Sequence, residues 1–331
     1  MTDLASGLRA YLSDLWGHPV QVVNVQASST GARRANVAFD AVAGADVHRL
    51  VATVVPTADI QLNPIEAEAG VRELARTAGV PVPAIVGAST APDWVGGSFF
   101  ISEFVAGETV PRAVLRLIER EGIGDRVAAQ LGQAMARLHS IDQALAPAAL
   151  MELGGGPPAE MALAALGAAA GGLLEPRPAI TYGLRWLERR LPPPPANRGI
   201  IHTDVRTGNL IIGPDGLRAV LDWEGARRGG DPMEDLAWLA LRMWRFHNDS
   251  LEIGGFSERA PLVDAYNQAG GSFDAERFAW WKAYGTLKWA LGLAAQAAAH
   301  LDGRFSSIVM AASGRRVVEM EWDLLMLVRP R

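Results

Sequence analysis

The chain has no cysteine among its 331 residues, which excludes disulfides, thiolate metal sites and thiol nucleophiles and suits a reducing cytoplasm. Lysine is almost missing as well. Of the 31 basic residues only Lys282 and Lys288 are lysines, so arginine must carry nearly every positive charge that a binding site needs. Positive charge is not in excess: the net charge is −5 at neutral pH, with no electrostatic footprint for nucleic acid or an anionic membrane surface. Met1-Thr2-Asp3-Leu4 lacks the basic and apolar parts of a secretion signal, and the longest apolar run, Trp289 to Ala295, is too short to span a bilayer. What remains, 49% hydrophobic and 20% charged residues, describes a globular protein with a sizeable core and small-molecule partners.

The residues that can carry chemistry gather near the middle, in His202-Thr203-Asp204-Val205-Arg206-Thr207-Gly208-Asn209. The spacing of Asp204 and Asn209 matches the kinase catalytic loop, in which the Asp takes or orients the acceptor hydroxyl proton and the Asn holds a magnesium ion. Arg206, two residues after Asp204, would follow the transferring phosphoryl group with its charge. Asn209 to Ile212 and Leu217 to Leu221 are β-prone runs on either side of Gly213-Pro214-Asp215-Gly216, which reads as a hairpin. With Ile212 opposite Leu217, register counting puts Asp222 opposite about Thr207. There its carboxylate could share one cation with the amide oxygen of Asn209. A turn stabilised by ordinary polar side chains would use the same residue types.

The run H-x-D-x-R-x-G-N-L-I-I from His202, followed by L-D-W-E ending at Glu224, resembles the aminoglycoside phosphotransferase and choline kinase group. Within that group it is most similar to the bacterial phosphotransferases related to acyl-CoA-dehydrogenase-associated kinase domains. Leu138-His139, Asp231-Pro232, Asp235-Leu236-Ala237, Gly314-Arg315-Arg316 and Glu321-Trp322-Asp323-Leu324-Leu325 extend the resemblance over nearly the whole chain, strongly in the second half and weakly in the first. The resemblance implies an α+β, two-lobed protein-kinase-like fold. A small antiparallel-sheet lobe would occupy residues 1–105 and a larger helical lobe residues 106–331. It also implies ATP, with GTP as the alternative, together with Mg2+ and a small-molecule hydroxyl acceptor, and neither nucleic acid nor membrane as a partner.

In the first half, a helix over residues 3–16 and strands at Val20 to Val25 and Asn36 to Phe39 flank a polar loop. In related enzymes such a loop covers the nucleotide phosphates. Here it offers Ser29, Gly31, Arg33 and Arg34, so backbone amides and guanidinium groups would do the cradling, and a plain hairpin loop reads the same way. Arg49 to Val55 is the next strand, on which the family carries a basic side chain, and Thr53 stands at that position. No Lys or Arg occurs from Leu50 to Val71. That departure raises a second reading, a nucleotide-binding pseudokinase or scaffold without turnover, unless Arg33, Arg34 or Arg49 substitutes. Asn63-Pro64-Ile65-Glu66 reads as a capped helix start with Glu66 as the capping-box partner. Glu68 stands where the family has an ion-pairing glutamate, and a solvated surface carboxylate is the other reading. The backbone from Glu103 to Val105 would meet an adenine edge, although an unliganded edge strand shows the same pattern.

The later helices supply support. Asp125 to His139 has a core face, and His139 is expected to be hydrogen-bonded beneath the catalytic loop. Asp231-Pro232 opens what reads as a long helix rich in Leu and Trp, from which Asp235 would tie down the catalytic loop. Trp280, Trp281, Tyr284 and Trp289 read as helix packing or as an aromatic wall of the acceptor pocket.

Overall fold

Alternation along five strands gives the first half of the chain two unlike sheet faces, and the difference between them positions the site. The structure, a computed structural model, describes residues 4–30, 34–56, 61–304 and 307–329. The first elements are α1 (Leu4–Trp16), β1 (Gln21–Thr30), β2 (Ala35–Ala43), β3 (Asp46–Pro56), α2 (Ile65–Thr77), β4 (Ile85–Ser89) and β5 (Gly97–Glu103). The strands pair antiparallel in the order β1-β2-β3-β5-β4. On one face Phe39, Leu50, Ala52, Val54, Phe99 and Ile101 close over Leu8 and Leu12 of α1. The other face carries Val55 and Phe100 against Ile65 of α2. Asn36, Thr53 and Phe100 lie in one row across β2, β3 and β5, so their side chains share this second face.

The start of α2 departs from the capping box read in the sequence. Pro64 is the cap residue without a side-chain bond, and Glu66 is exposed. Asn63 turns the other way, is fully buried, and crosses to the helical lobe. Its Nδ2 donates to the carbonyls of Glu224 at 2.9 Å and Ala226 at 2.7 Å, and its Oδ1 accepts from Met151 N–H at 2.8 Å. Three backbone groups satisfied by one buried amide outweigh a single helix cap.

The helical lobe contains α3 (Pro111–Glu121), α4 (Gly124–His139), α5 (Pro158–Gly171), α6 (Pro178–Arg189), β6 (Gly199–Ile201), β7 (Leu210–Gly213), β8 (Gly216–Val220) and β9 (Arg227–Gly230). After these come α7 (Pro232–Leu239), α8 (Arg259–Gln268), α9 (Ala275–Leu301), α10 (Ile308–Ser313) and α11 (Val317–Val328). β6 pairs with β9, and β7 with β8, as two short ribbons laid on the helices. Their core includes Trp223, Trp280 and Trp281, and it also takes in Val71 and Ala75 of α2, so α2 packs on both lobes. The helix after Asp231 is shorter than its composition suggests. Asp231 caps it by accepting from Met233 N–H, and Leu241 then leaves helical geometry at φ −63° and ψ 140°. Trp280 and Trp281 are packing residues, with Trp280 Nε1 donating to Leu187 O at 3.1 Å.

The segment after β5 is fastened to β7: Glu108 and Ile212 exchange backbone hydrogen bonds of 2.9 and 3.1 Å. Together with Asn63 this fixes how the lobes meet. Asn63→Ala strands one buried and two part-buried backbone groups, and it should lower unfolding free energy by about 2 kcal/mol in urea titrations.

Candidate active site

The catalytic loop is held from below by one carboxylate. Asp235 on α7 accepts His202 N–H through Oδ2 at 2.8 Å and Thr203 N–H through Oδ1 at 2.6 Å, and its Oδ2 also meets His139 Nε2 at 3.0 Å. His139 in turn meets the Tyr266 hydroxyl at 3.0 Å. Burial alone would raise the Asp235 pKa, but the bonds to His139 and the His202 amide outweigh it and hold the carboxyl below its usual range. That grip matters because Thr203, a β-branched residue, sits at φ 72°, and it is also fixed by its hydroxyl donating to Gly225 O at 2.9 Å.

His202 is fully buried, and burial lowers its pKa, so the neutral ring fits its contacts. Its Nε2 donates to Leu221 O at 3.0 Å while Nδ1 accepts from Asp204 N–H at 3.2 Å. The ring thereby ties the loop to the strand end that carries Asp222.

Around Asp204 the donors converge. Oδ1 accepts from Trp238 Nε1 at 2.8 Å, Oδ2 accepts from Asn209 Nδ2 at 2.7 Å, and Arg206 Nε reaches both oxygens at 3.1 Å. Trp238 went unnoticed in the sequence. Its signal was the spacing from Asp235: three residues on along a helix lies on the same face, so both side chains meet the catalytic loop. Arg206 also lies over the ring of Trp244 at 5.0 Å, and Trp244 packs against Trp238 and Trp289.

The hairpin forms with Ile212 opposite Leu217 as counted, but a bulge at Arg218 follows, since Ile211 faces Ala219. Continued from Leu210 opposite Val220, the register sets Asp222 opposite Gly208 and not Thr207, and Leu221 N–H bonds Asn209 O at 2.8 Å. Asn209 spends its Nδ2 on Asp204, which leaves Oδ1 as the free end of the amide. Asp222, at φ 65°, has no hydrogen-bond partner among the described residues. Burial, reinforced by the charges of Asp204 and Glu224, pushes its pKa up to about 7 against the opposing pull of Arg34 and Arg206. Among the described residues, a half-buried carboxylate and an amide oxygen that each lack a hydrogen-bond donor are a donor set that fits magnesium, which takes one or two protein oxygens and fills its shell with phosphate and water. Among the described residues no group of three or more His, Cys, Asp or Glu is placed to hold a metal unaided.

From the sheet side comes Arg34. Its Nη1 pairs with Glu68 at 2.8 Å and its Nε with Glu224 at 2.9 Å. Burial works against its charge, but Glu68 and then Glu224 outweigh it and raise its pKa. Glu68 is 1% exposed, which overturns the reading of a solvated surface carboxylate. Thr53 spends its hydroxyl on Asn36 Oδ1 at 2.8 Å, and Arg49 stacks on Phe104 at 4.5 Å. Ser29 lies in β1, while Gly31 and Arg33 fall outside the described residues. Glu103 N–H is taken by Ala84 O at 2.9 Å and its side chain is exposed, whereas Val105 N–H has no backbone acceptor among the described residues. A cavity of about 560 Å³ opens by His139, Tyr266, Asp231 and Arg277, away from this centre, and contains none of Asp204, Asn209 or Asp222.

A sheet lobe on a helical lobe, with an Asp-Asn loop and an Asp-bearing hairpin where they meet, is the fold of the kinase-like phosphotransferases. Residues 25–281 match the phosphotransferase enzyme family, APH, and the chain belongs to it. Acyl-CoA dehydrogenase family member 11 of Gallus gallus is 31% identical over 182 residues, 53% of this chain and 22% of that protein, so the chain spans about a fifth of this relative's length. A Ralstonia eutropha protein assigned as an aminoglycoside phosphotransferase superposes with a TM-score of 0.76 at 22% identity, over 98% of this chain and 97% of its own. A thermostable mutant of the aminoglycoside phosphotransferase APH(4)-Ia, solved with ADP and hygromycin B, gives 0.66 at 16% identity over 98% of both chains.

The raised Asp222 pKa has a signed effect on stability. With its pKa near 7 in the fold and 3.8 ordinarily, the group favours the folded state at low pH, and that contribution is lost as pH rises from about 4 to about 7. Without metal or nucleotide, Asp222→Asn should therefore unfold roughly 2–4 °C above the unmodified chain at pH 8. The gap should narrow by pH 5 in differential scanning calorimetry.

Proposed function

We propose that the chain moves the terminal phosphoryl group of ATP, with GTP as the alternative donor, to a hydroxyl of a small molecule with the help of Mg2+. The observation that carries this reading is the convergence of Trp238, Asn209 and Arg206 on the Asp204 carboxylate, with the half-buried Asp222 in the same site. Asp204 is the group that orients the acceptor hydroxyl and takes its proton. Arg206 then exchanges part of its contact with Asp204 for the transferring group. Asp222 and the Asn209 amide oxygen would hold Mg2+, which when bound neutralises charge on the phosphates. Phosphoryl transfer asks a protein chiefly for positioning and charge neutralisation, and these side chains supply both.

The remaining assignments follow the same logic. Arg34 is assigned to the phosphates with Glu68 orienting it; Ser29 of β1, and Gly31 and Arg33 outside the described residues, are assigned to the nucleotide with it. Glu103 and Val105 border the adenine, where Val105 N–H is a free donor. Thr53 lines the phosphate side through its contact with Asn36. The lobes divide at 105, giving residues 1–105 for nucleotide and 106–331 for acceptor. ADP in a structurally similar phosphotransferase supports nucleotide use, and hygromycin B in that same protein supports a small-molecule acceptor. A cytoplasmic setting suits a chain without cysteine. The reading of a scaffold without turnover drew on the missing strand lysine. Arg34 on Glu68 supplies the ion pair whose loss motivated it.

The test is product formation from ATP, Mg2+ and a panel of hydroxylated small molecules. On the compound turned over, Asp204→Asn should lower kcat by about 1,000-fold or more with nucleotide affinity little changed. Trp238→Phe, which removes one hydrogen bond to the same carboxylate, should lower kcat roughly 10-fold. Unchanged turnover in Asp204→Asn, or nucleotide binding with no product from any compound, contradicts the proposal.

A further inference from the structure

Arg72, on α2, is 4% exposed and makes no hydrogen bond or ion pair among the described residues. Its Nε is buried without an acceptor, and its guanidinium lies over the ring of Phe100 at 4.4 Å. Such an arrangement is costly, because a buried cation without a paired anion forfeits its hydration and gains only the modest attraction of a ring face. Burial lowers its pKa to about 10, so it remains charged at neutral pH. The buried Arg227, by contrast, is paired with Glu234.

Glu68 stands one helical turn before Arg72 on the same face of α2 and would be the natural partner. Its carboxylate is given to Arg34 instead, at 2.8 Å. Asp222 also attracts Arg72 without bonding it.

Position narrows the missing anion. Phe100 is directly opposite Thr53 across β3 and β5, so the guanidinium on that ring lies over the sheet face on which Thr53 stands. Thr53 is where a strand cation was expected from the sequence and none exists. Arg72 therefore brings a positive charge to that place from the helix, within the field of the Glu68 and Asp222 carboxylates.

We propose, resting on the phosphotransferase reading above, that Arg72 is the receptor for the non-transferred phosphates of the nucleotide. The two duties of a strand lysine are thus divided: Arg34 holds the helix glutamate, and Arg72, left unpaired, binds phosphate oxygens through its fork of N–H donors. Among the described residues Arg34–Glu224 is the ion pair that joins the two lobes, beside the hydrogen bonds of Asn63.

The experiment is calorimetric titration of the full chain with Mg-ATP and, separately, with adenosine, alongside thermal unfolding without ligand. Arg72→Met should weaken Mg-ATP at least about ten-fold, leave adenosine within about two-fold, and leave the unliganded protein as stable or more so, because an unpaired buried charge is replaced by an apolar chain of similar length. Arg72→Lys should retain part of the Mg-ATP affinity, and Thr53→Lys placed in the Arg72→Met background should recover part of it. Equal Mg-ATP affinity in Arg72→Met and the unmodified chain overturns the inference alone. So does a variant that is less stable and loses adenosine and Mg-ATP alike, which marks a structural arginine. Failure of the unmodified chain to bind Mg-ATP overturns the parent reading and this inference with it.

Discussion

Two half-buried carboxylates that share one site repel each other, and Asp204 and Asp222 are compensated unequally. Asp204 receives the indole of Trp238, the amide of Asn209 and the guanidinium of Arg206. Asp222 receives no hydrogen bond among the described residues, and its environment pushes its pKa up to about 7. The asymmetry separates their roles: the satisfied carboxylate is set to handle a proton, and the unsatisfied one is set to take a cation.

Holding this arrangement requires backbone that would not adopt it unaided. Thr203 and Asp222 both occupy positive φ, at 72° and 65°, one on each of the two chain segments that meet in the site. Asp235 fixes the first through two backbone amides, and His202 spans to Leu221 beside the second. Trp223, wholly buried with its Nε1 on Val220 O, anchors the residue after Asp222 in the helical core. The strain is stored where the reacting groups are, and packing of the helical lobe sustains it. The sheet lobe joins through Asn63 and Arg34, both of which end on the Glu224 segment.

The second half of the chain was legible because its chemistry is local. Asp204, Asn209 and the turn before Asp222 lie close in sequence, and turn residues with β-prone flanks fix a hairpin with little tertiary input. The bulge at Arg218 escaped, since nothing in Leu217-Arg218-Ala219 announces an extra residue, and it moved Asp222 by one register position; Trp238 and the early end of α7 escaped as well. The first half was harder because its contacts are long-range. Asn63 carries a strong helix-cap signature, yet its partners stand 161 and 163 residues away, and satisfaction of three backbone groups overrode the local preference. Arg34 was among the possible lysine substitutes, but its carboxylate partners are brought by α2 and by the segment after β8. Arg72 lay one residue beyond the stretch searched for a cation, and helical geometry, not strand position, delivers it.

The unequal treatment of the two carboxylates is tested most directly at Asp222, whose proton a metal-bearing nucleotide would displace. The direct measurement is proton release on binding preformed Mg-ATP, from calorimetry in buffers of different ionisation heat. With a pKa near 7, about half a proton should leave the protein at pH 7, with the release vanishing near pH 9 and absent in Asp222→Asn. Binding at pH 7 with no proton released, or with the same release in that variant, would contradict the account.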